Sequence, residues 1–284
     1  MSAQLLDGKT LADLKQRELK VRVDAWIAEG KRPPALAVIL LGSHAPSEIY
    51  VANKIKACEK VGIQAQLLRL PEGATESMLL TEIEKLNHDP AVDGILVQMP
   101  LPRRMDAQRV LLAIDPSKDV DGFHPLNMGR LILKMPGLRP ATPKGMMILL
   151  DHYVGEMMGL YAVVVGASNI VGRPMSLELL NRRATVSICH SKTKDLALMT
   201  KNADLLVVAV GIPNFIQAEQ VKPGAIVVDV GINRLADGAL VGDVDFKAVS
   251  EVAAWISPVP GGVGPMTIMG LLDNTVRAYE SRYR

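Results

Sequence analysis

The chain of 284 residues is poor in cysteine, aromatic residues and excess charge of either sign. Two cysteines, Cys58 and Cys189, lie far apart without metal-type spacing, which argues against a disulfide framework or a thiolate metal site and suits a reducing cytoplasm. Five histidines, at 44, 88, 124, 152 and 190, are scattered and assemble no ligand set. Two Trp, five Tyr and three Phe with a net charge of +2 give neither a stacking platform nor a basic field, so nucleic acid is not an expected partner. Lys31-Arg32, Arg103-Arg104 and Arg182-Arg183 read as solvated surface. No apolar run approaches about 18 residues, and the start has no charged segment followed by an apolar core, so membrane spanning and secretion are not expected.

What is present is 49% hydrophobic residues, ample for one large or two ordinary globular domains. The expected pattern alternates strand with helix. A helix from Gly8 to Glu29 ends at Gly30 and Pro33-Pro34; a strand Ala35 to Leu41, a helix from Pro46 to Gly62, a strand Gln64 to Leu70, a helix Thr75 to Leu86 and a strand Ile95 to Val97 follow. Proline and glycine break the pattern between 98 and 142, making this the longest irregular region expected. A helix from Pro143 to Val154 leads into strands at 161–166, 184–189, 204–210 and 225–230, with a further short one at 254–257 and a closing helix from Met266 to Tyr283. The fold class is α/β: two α/β domains flanking a cleft, the second a Rossmann-like doubly wound parallel sheet. The expected domains are 1–139 and 140–284, with the last helix packing back on the first.

The second domain opens on the stretch Tyr161 to Pro174, where the apolar strand Ala162 to Val165 runs through Gly166-Ala167-Ser168 to Gly172 and a helix with Pro174 in its first turn. Dinucleotide pyrophosphates are held at such turns, on the N–H groups of the helix start. The spacing Gly-x-Ser-x-x-x-Gly is loose, and by itself also fits an ordinary strand–turn–helix connection. An NAD-binding unit carries an acidic residue about 20 residues beyond its glycine turn. Here the second strand ends in His190-Ser191-Lys192-Thr193, with no carboxylate before Asp195. Arg173 and Ser191 would instead suit a 2′-phosphate, which favours NADP.

In the first domain, Lys54 falls within an apolar stripe. On a helical wheel it lies about 40° from Tyr50 and about 40° from Cys58, whereas Lys56 and Lys60 fall on the opposite side. The wheel by itself favours a lysine that snorkels to the edge of its stripe; the sharper reading is a partly buried lysine usable as an acid/base beside the Tyr50 ring.

Five motifs in this order carry a resemblance across nearly the whole chain: Tyr50-Val-Ala-Asn-Lys54-Ile-Lys-Ala-Cys58, Asp93-Gly-Ile-Leu-Val-Gln98-Met-Pro-Leu-Pro102, Lys118-Asp-Val-Asp121-Gly-Phe, Gly166-Ala-Ser-Asn-Ile-Val-Gly-Arg-Pro174 and Pro258-Val-Pro-Gly-Gly-Val-Gly-Pro-Met-Thr267. The chain resembles the bifunctional methylenetetrahydrofolate dehydrogenase/methenyltetrahydrofolate cyclohydrolase family. The resemblance implies a homodimer, NADP as cofactor, tetrahydrofolate derivatives as substrates, and oxidation of the 5,10-methylene form to the methenyl cation followed by hydrolysis to the 10-formyl form. It assigns catalysis to Lys54, Tyr50, Gln98 and Asp121, cofactor binding to Gly166, Ala167, Ser168, Arg173, Ser191 and Ile232, and substrate binding to Tyr50, Asp121, Pro260, Gly261 and Gly262. No metal is expected: Asp119-x-Asp121 lacks the other ligands of a calcium loop, and the nicotinamide takes the hydride. The loop Ser43-His44-Ala45-Pro46-Ser47 and the stretch Pro140-Ala141-Thr142-Pro143 depart from the family's usual Asp-Pro-Ala-Ser and Pro-Cys-Thr-Pro. A two-domain NADP dehydrogenase of another small molecule would need no folate cleft, and a non-catalytic dinucleotide sensor would not need Lys54 in its stripe.

Overall fold

The computed structural model describes residues 2–282, apart from the side chains of Ala45 and Pro46. In chain order it forms β1 (Gln4–Leu5), α1 (Gly8–Ala28), β2 (Ala35–Leu41), α2 (Ala45–Val61), β3 (Gln64–Leu70), α3 (Glu76–His88), β4 (Gly94–Val97), α4 (Ala107–Ala113), α5 (Pro125–Ile132) and α6 (Ala141–Tyr153). It continues through β5 (Tyr161–Val165), α7 (Gly172–Asn181), β6 (Thr185–Cys189), α8 (Leu196–Thr200), β7 (Leu205–Val208), β8 (Ile226–Asp229), the hairpin β9 (Asn233–Arg234) and β10 (Leu240–Val241), α9 (Phe246–Ser250), β11 (Trp255–Ile256) and α10 (Val263–Glu280). The expected end of the last helix at Tyr283 lies outside the described residues.

The chain separates into two compact units, one of residues up to 13 with 142–267, the other of 14–141 with residues from 268 onward. The units are therefore not two continuous halves: the chain passes between them within α1, α6 and α10.

In the first unit a six-stranded sheet runs in the order β1-β11-β8-β7-β5-β6, every pair parallel. From β5 the chain moves to β6 on one side and then returns to β7 on the other. The strand order thus reverses between β5 and β7, the place where doubly wound sheets bind ligands beyond their carboxyl ends. Val163, Val165, Leu206, Val208, Val227 and Ile256 form the centre of its core. Strands buried on both faces need such unbroken apolar runs, and each fully buried aliphatic side chain contributes about 1.5–3 kcal/mol.

The second unit holds a three-stranded parallel sheet, β3-β2-β4. Ala37, Ile39, Ile95, Leu79, Ile83 and Val110 fill the space between this sheet and helices α3 and α4. The end of α10 is tied into the unit by Asn274, whose Nδ2 donates to the carbonyls of Val120 (2.7 Å) and Arg139 (2.6 Å), and by the Tyr279 hydroxyl on the Arg32 carbonyl (2.8 Å).

Two sequence expectations are corrected here. The region 98–142 is not wholly irregular, because Asp106 caps α4 through the N–H groups of Gln108 (2.9 Å) and Arg109 (3.3 Å), while Pro125 starts α5 behind the His124 cap. Helices of two turns are too short to show an apolar period. Arg32 is not simply solvated surface: its guanidinium grips the fully buried Asp93 at 2.7 and 2.8 Å.

Candidate active site

Helix α2 buries Val51, Cys58 and Val61 against the second unit and ends at Gly62, whose φ of 83° is in the left-handed region. That phase leaves Lys54 half-buried and Lys56 exposed. Across from it, β4 ends at Val97 and the next residue, Gln98, is held by its N–H on the Ile39 carbonyl (2.9 Å). Its side chain is fixed at both ends: Nε2 donates to the Met99 carbonyl (2.7 Å), so Oε1 is turned to accept from Lys54 Nζ at 3.1 Å. Tyr50, one turn before Lys54, keeps 46% of its surface exposed, leaving its ring available to a ligand.

Asp121 is carried by the segment 118–121, which runs beside β4: the Ile95 N–H donates to the Lys118 carbonyl (2.8 Å), and Ile95 bridges Asp119. Asp119 then shapes the turn. Its Oδ1 accepts from the N–H groups of Gly122 (3.1 Å) and Phe123 (3.3 Å), and its Oδ2 from the His124 N–H (2.8 Å) and Asn127 Nδ2 (2.9 Å). With those bonds made, Asp119 is a structural carboxylate, and none of the four goes to Asp121. Burial pushes the Asp121 carboxyl up to about 6; the nearby charge of Lys54 opposes that rise and Asp119 adds to it. Tyr50, Lys54, Gln98 and Asp121 therefore belong to one unit, with Lys54 linking the other two polar groups. Among the described residues no group of three or more His, Cys, Asp or Glu could hold a metal.

In the first unit, the β5–α7 turn is built around two glycines. Gly166 has φ +124°, and Gly172 packs on its carbonyl oxygen so closely that a methyl group at 172 would overlap it. Ser168 caps the helix: its Oγ accepts from the N–H groups of Val171 (3.2 Å) and Gly172 (3.3 Å), and its carbonyl from the Arg173 N–H (3.0 Å). This differs from the sequence expectation, because the N–H groups at 171–173 already have partners. The turn itself is open, with Ser168, Asn169 and Ile170 exposed. Arg173 is exposed, with Nε donating to the Ala167 carbonyl (3.1 Å), so its guanidinium lies along the turn. Beyond β6, the His190 carbonyl accepts from the Thr193 N–H (2.8 Å), a tight turn that exposes Ser191 and Lys192. A glycine cradle at the switch point beside an exposed arginine fits a phosphorylated dinucleotide.

Ile232 follows β8 and is 47% exposed, while Pro260, Gly261 and Gly262 precede α10 in the same unit. Gly261 adopts φ +108° and its carbonyl accepts from the Lys9 N–H (2.8 Å). Sequence reasoning missed Asp229 and Asp243, both buried at the same edge as Ile232. A carboxylate in the apolar run Ala225 to Val230 was the available signal for Asp229; nothing local marks Asp243.

Two family profiles match: tetrahydrofolate dehydrogenase/cyclohydrolase, catalytic domain, over residues 6–121, and its NAD(P)-binding domain over 140–283. The bifunctional protein FolD of Vesicomyosocius okutanii subsp. Calyptogena okutanii (strain HA) is 54% identical over 98% of this chain and 99% of its own. The structure of the bifunctional FolD methylenetetrahydrofolate dehydrogenase/cyclohydrolase from Campylobacter jejuni superposes with a TM-score of 0.97 at 51% identity, covering 99% of this chain and 100% of that one. The enzyme of Trypanosoma brucei, solved with NADP cofactor and inhibitor, gives 0.95 at 36% identity, covering 100% and 99%. With both profiles matched in order and whole-length relatives far above 30% identity, this chain belongs to the tetrahydrofolate dehydrogenase/cyclohydrolase family.

Proposed function

We infer that the chain oxidises 5,10-methylenetetrahydrofolate with NADP to the 5,10-methenyl form and hydrolyses that product to 10-formyltetrahydrofolate. The observation that carries the reading is the Lys54–Gln98 hydrogen bond within a chain that matches both family domains. Residues 1–139 are assigned to folate and catalysis and 140–284 to the cofactor, with the last helix serving the first domain.

Bound at the β5–α7 turn, NADP+ supplies the hydride acceptor. The residues assigned to hold it are Gly166, Ala167, Ser168, Arg173, Ser191 and Ile232, with Arg173 and Ser191 facing the 2′-phosphate. Tyr50 gives the pterin an exposed ring to stack on, and Asp121 accepts from its aminopyrimidine N–H groups. Pro260, Gly261 and Gly262 line the substrate from the loop before α10. Oxidation removes a hydride from the methylene carbon and leaves a cation, for which the need is position. Hydrolysis adds water to that carbon, releases one proton and opens one carbon–nitrogen bond, whose nitrogen gains a proton. Lys54 is the group that moves these protons. Gln98 suits it because a neutral amide oxygen orients the amine without adding a negative charge beside it.

The reading extends to a homodimer in the cytoplasm. Both cysteines are free and buried, burial pushing the Cys58 thiol up to about 12, which suits a reducing compartment. Among the described residues no helix is long and apolar enough to cross a membrane. Sedimentation of the purified chain tests the dimer. The activities are tested by supplying methylenetetrahydrofolate with NADP+ and following reduced nicotinamide and the methenyl intermediate separately. Reduction of NADP+ with no methenyl intermediate or formyl product would sink the assignment.

A further inference from the structure

Two buried carboxylates lie beneath the loops at the carboxyl edge of the six-stranded sheet. Asp229 ends β8 and is 3% exposed; Asp243, just after β10, is fully buried. Asp229 Oδ1 accepts from the N–H groups of Gly231 and Asp243, both at 2.9 Å, and its Oδ2 from the Val244 N–H at 2.9 Å. Asp243 Oδ2 accepts from the N–H groups of Val210 (2.6 Å) and Gly211 (2.8 Å), and its Oδ1 from Asn233 Nδ2 (2.8 Å). All six donors are uncharged N–H groups. A methyl at Gly242 would overlap the Asp229 carboxylate and one at Gly231 the Asp243 carboxylate, so the backbone is shaped around the pair.

The bonds form a relay. Asp229 fixes the backbone of Asp243, and Asp243 in turn fixes the loop after β7, which borders the switch point, and the loop after β8. In the second of these loops the residues on either side of Ile232 are tied down, Gly231 to Asp229 and Asn233 to Asp243, while Ile232 itself is held out to solvent. An exposed β-branched side chain clamped by its two neighbours is a preorganised apolar contact, and carboxylates hold N–H groups about twice as strongly as neutral acceptors do.

We propose that Asp229, Asp243 and Asn233 are positioning residues for the dehydrogenase reaction, fixing the loops after β7 and β8 that present Ile232 and Gly211 to the nicotinamide cofactor. The proposal rests on the assignment of Ile232 to the cofactor. It separates the two reactions, because hydrolysis of the methenyl substrate consumes no NADP.

The test assays full-length variants for both activities, with hydrolysis followed from methenyltetrahydrofolate in the absence of cofactor. Asn233→Ala removes one hydrogen bond and leaves both carboxylates in place. It should raise the KM for NADP+ roughly tenfold, the size of a charge-assisted bond, while hydrolysis keeps at least half its rate. Asn233→Asp alone should behave alike, since two carboxylates then face each other with no donor between them. Adding Asp243→Asn to Asn233→Asp supplies the missing donor, restores the hydrogen bond with its direction reversed and should recover the KM, which a loss of general packing would not do. Equal losses in both activities, or an unchanged KM in each variant, would overturn the positioning role. Ile232→Ala distinguishes the underlying reading: if it leaves the KM for NADP+ unchanged, the assignment of Ile232 fails and the proposal with it. If it raises the KM while Asn233→Ala and Asn233→Asp do not, only the positioning role fails.

Discussion

Lys54 Nζ donates to Gln98 Oε1 at 3.1 Å, joining the middle of α2 to the residue that follows β4. The bond fixes one direction of the amine. Because Gln98 Nε2 is itself held by the Met99 carbonyl, the amide cannot turn its nitrogen toward Lys54 without losing that contact.

Replacing this amine should separate the two reactions. Lys54→Met is expected to lower cyclohydrolase turnover by about a hundred- to ten-thousandfold, the range of lost acid/base catalysis, and to spare more of the hydride transfer. Lys56→Met, on the exposed face, should do little to either. Separate assays of NADP+ reduction and methenyl hydrolysis check this. Equal losses at Lys54 would reassign it to binding or folding.

Cofactor choice should depend on Arg173. A charge-assisted contact with a 2′-phosphate contributes about 1.5–3 kcal/mol, so Arg173→Ala should lower the NADP/NAD ratio of kcat/KM by roughly ten- to a hundredfold. The expected effect falls on NADP alone, since NAD has no phosphate to lose. An unchanged ratio would place the 2′-phosphate elsewhere.

Asp121 gives a stability signature with a definite sign. Its folded value of about 6 lies above the ordinary 3.8, so the folded chain binds that proton more tightly than the unfolded chain does. Ionisation therefore removes stability progressively between about pH 4 and 6, and the full penalty, up to about 3 kcal/mol, is present above the folded value. Asp121→Asn should accordingly gain stability relative to the native chain as the pH rises from 4 to 7, seen as a growing difference in denaturation midpoint, while folate turnover falls. A difference that stays constant with pH would refute the raised value.

The turn glycines are testable by one methyl group. Gly172→Ala should destabilise the chain by about 1–3 kcal/mol, because the added carbon meets the Gly166 carbonyl and backbone must shift. Thermal unfolding, followed with and without NADP+, reads both the loss and any weakened cofactor stabilisation.

The alternation of strand and helix, the apolar runs of β2 and β5, the glycine turn and the phase of α2 were all legible in the chain. They rest on local rules: periods of two and 3.6, glycine where the backbone crowds, an apolar stripe against a core. Motif order across the whole length was equally local and carried the family. Short elements escaped, since β1, α4 and α5 offer too few residues to show a period and are made by caps and by neighbours.

What only the tertiary structure decided is which polar groups meet. Lys54 and Gln98 are 44 positions apart, and their bond exists because α2 packs on β2 and β3 while β4 pairs with β2. Nothing local in the pair at 119 and 121 shows which carboxylate the turn uses; folding occupies Asp119 with four N–H donors, none of which goes to Asp121. Ser168, read locally as part of a phosphate turn, also takes up the helix N–H groups. Asp229 and Asp243 are 14 positions apart and become one relay only when β8 and the hairpin after it fold together. Backbone periodicity is written residue by residue, whereas burial, and with it the partners and proton affinity of each charge, is set by segments distant in the chain.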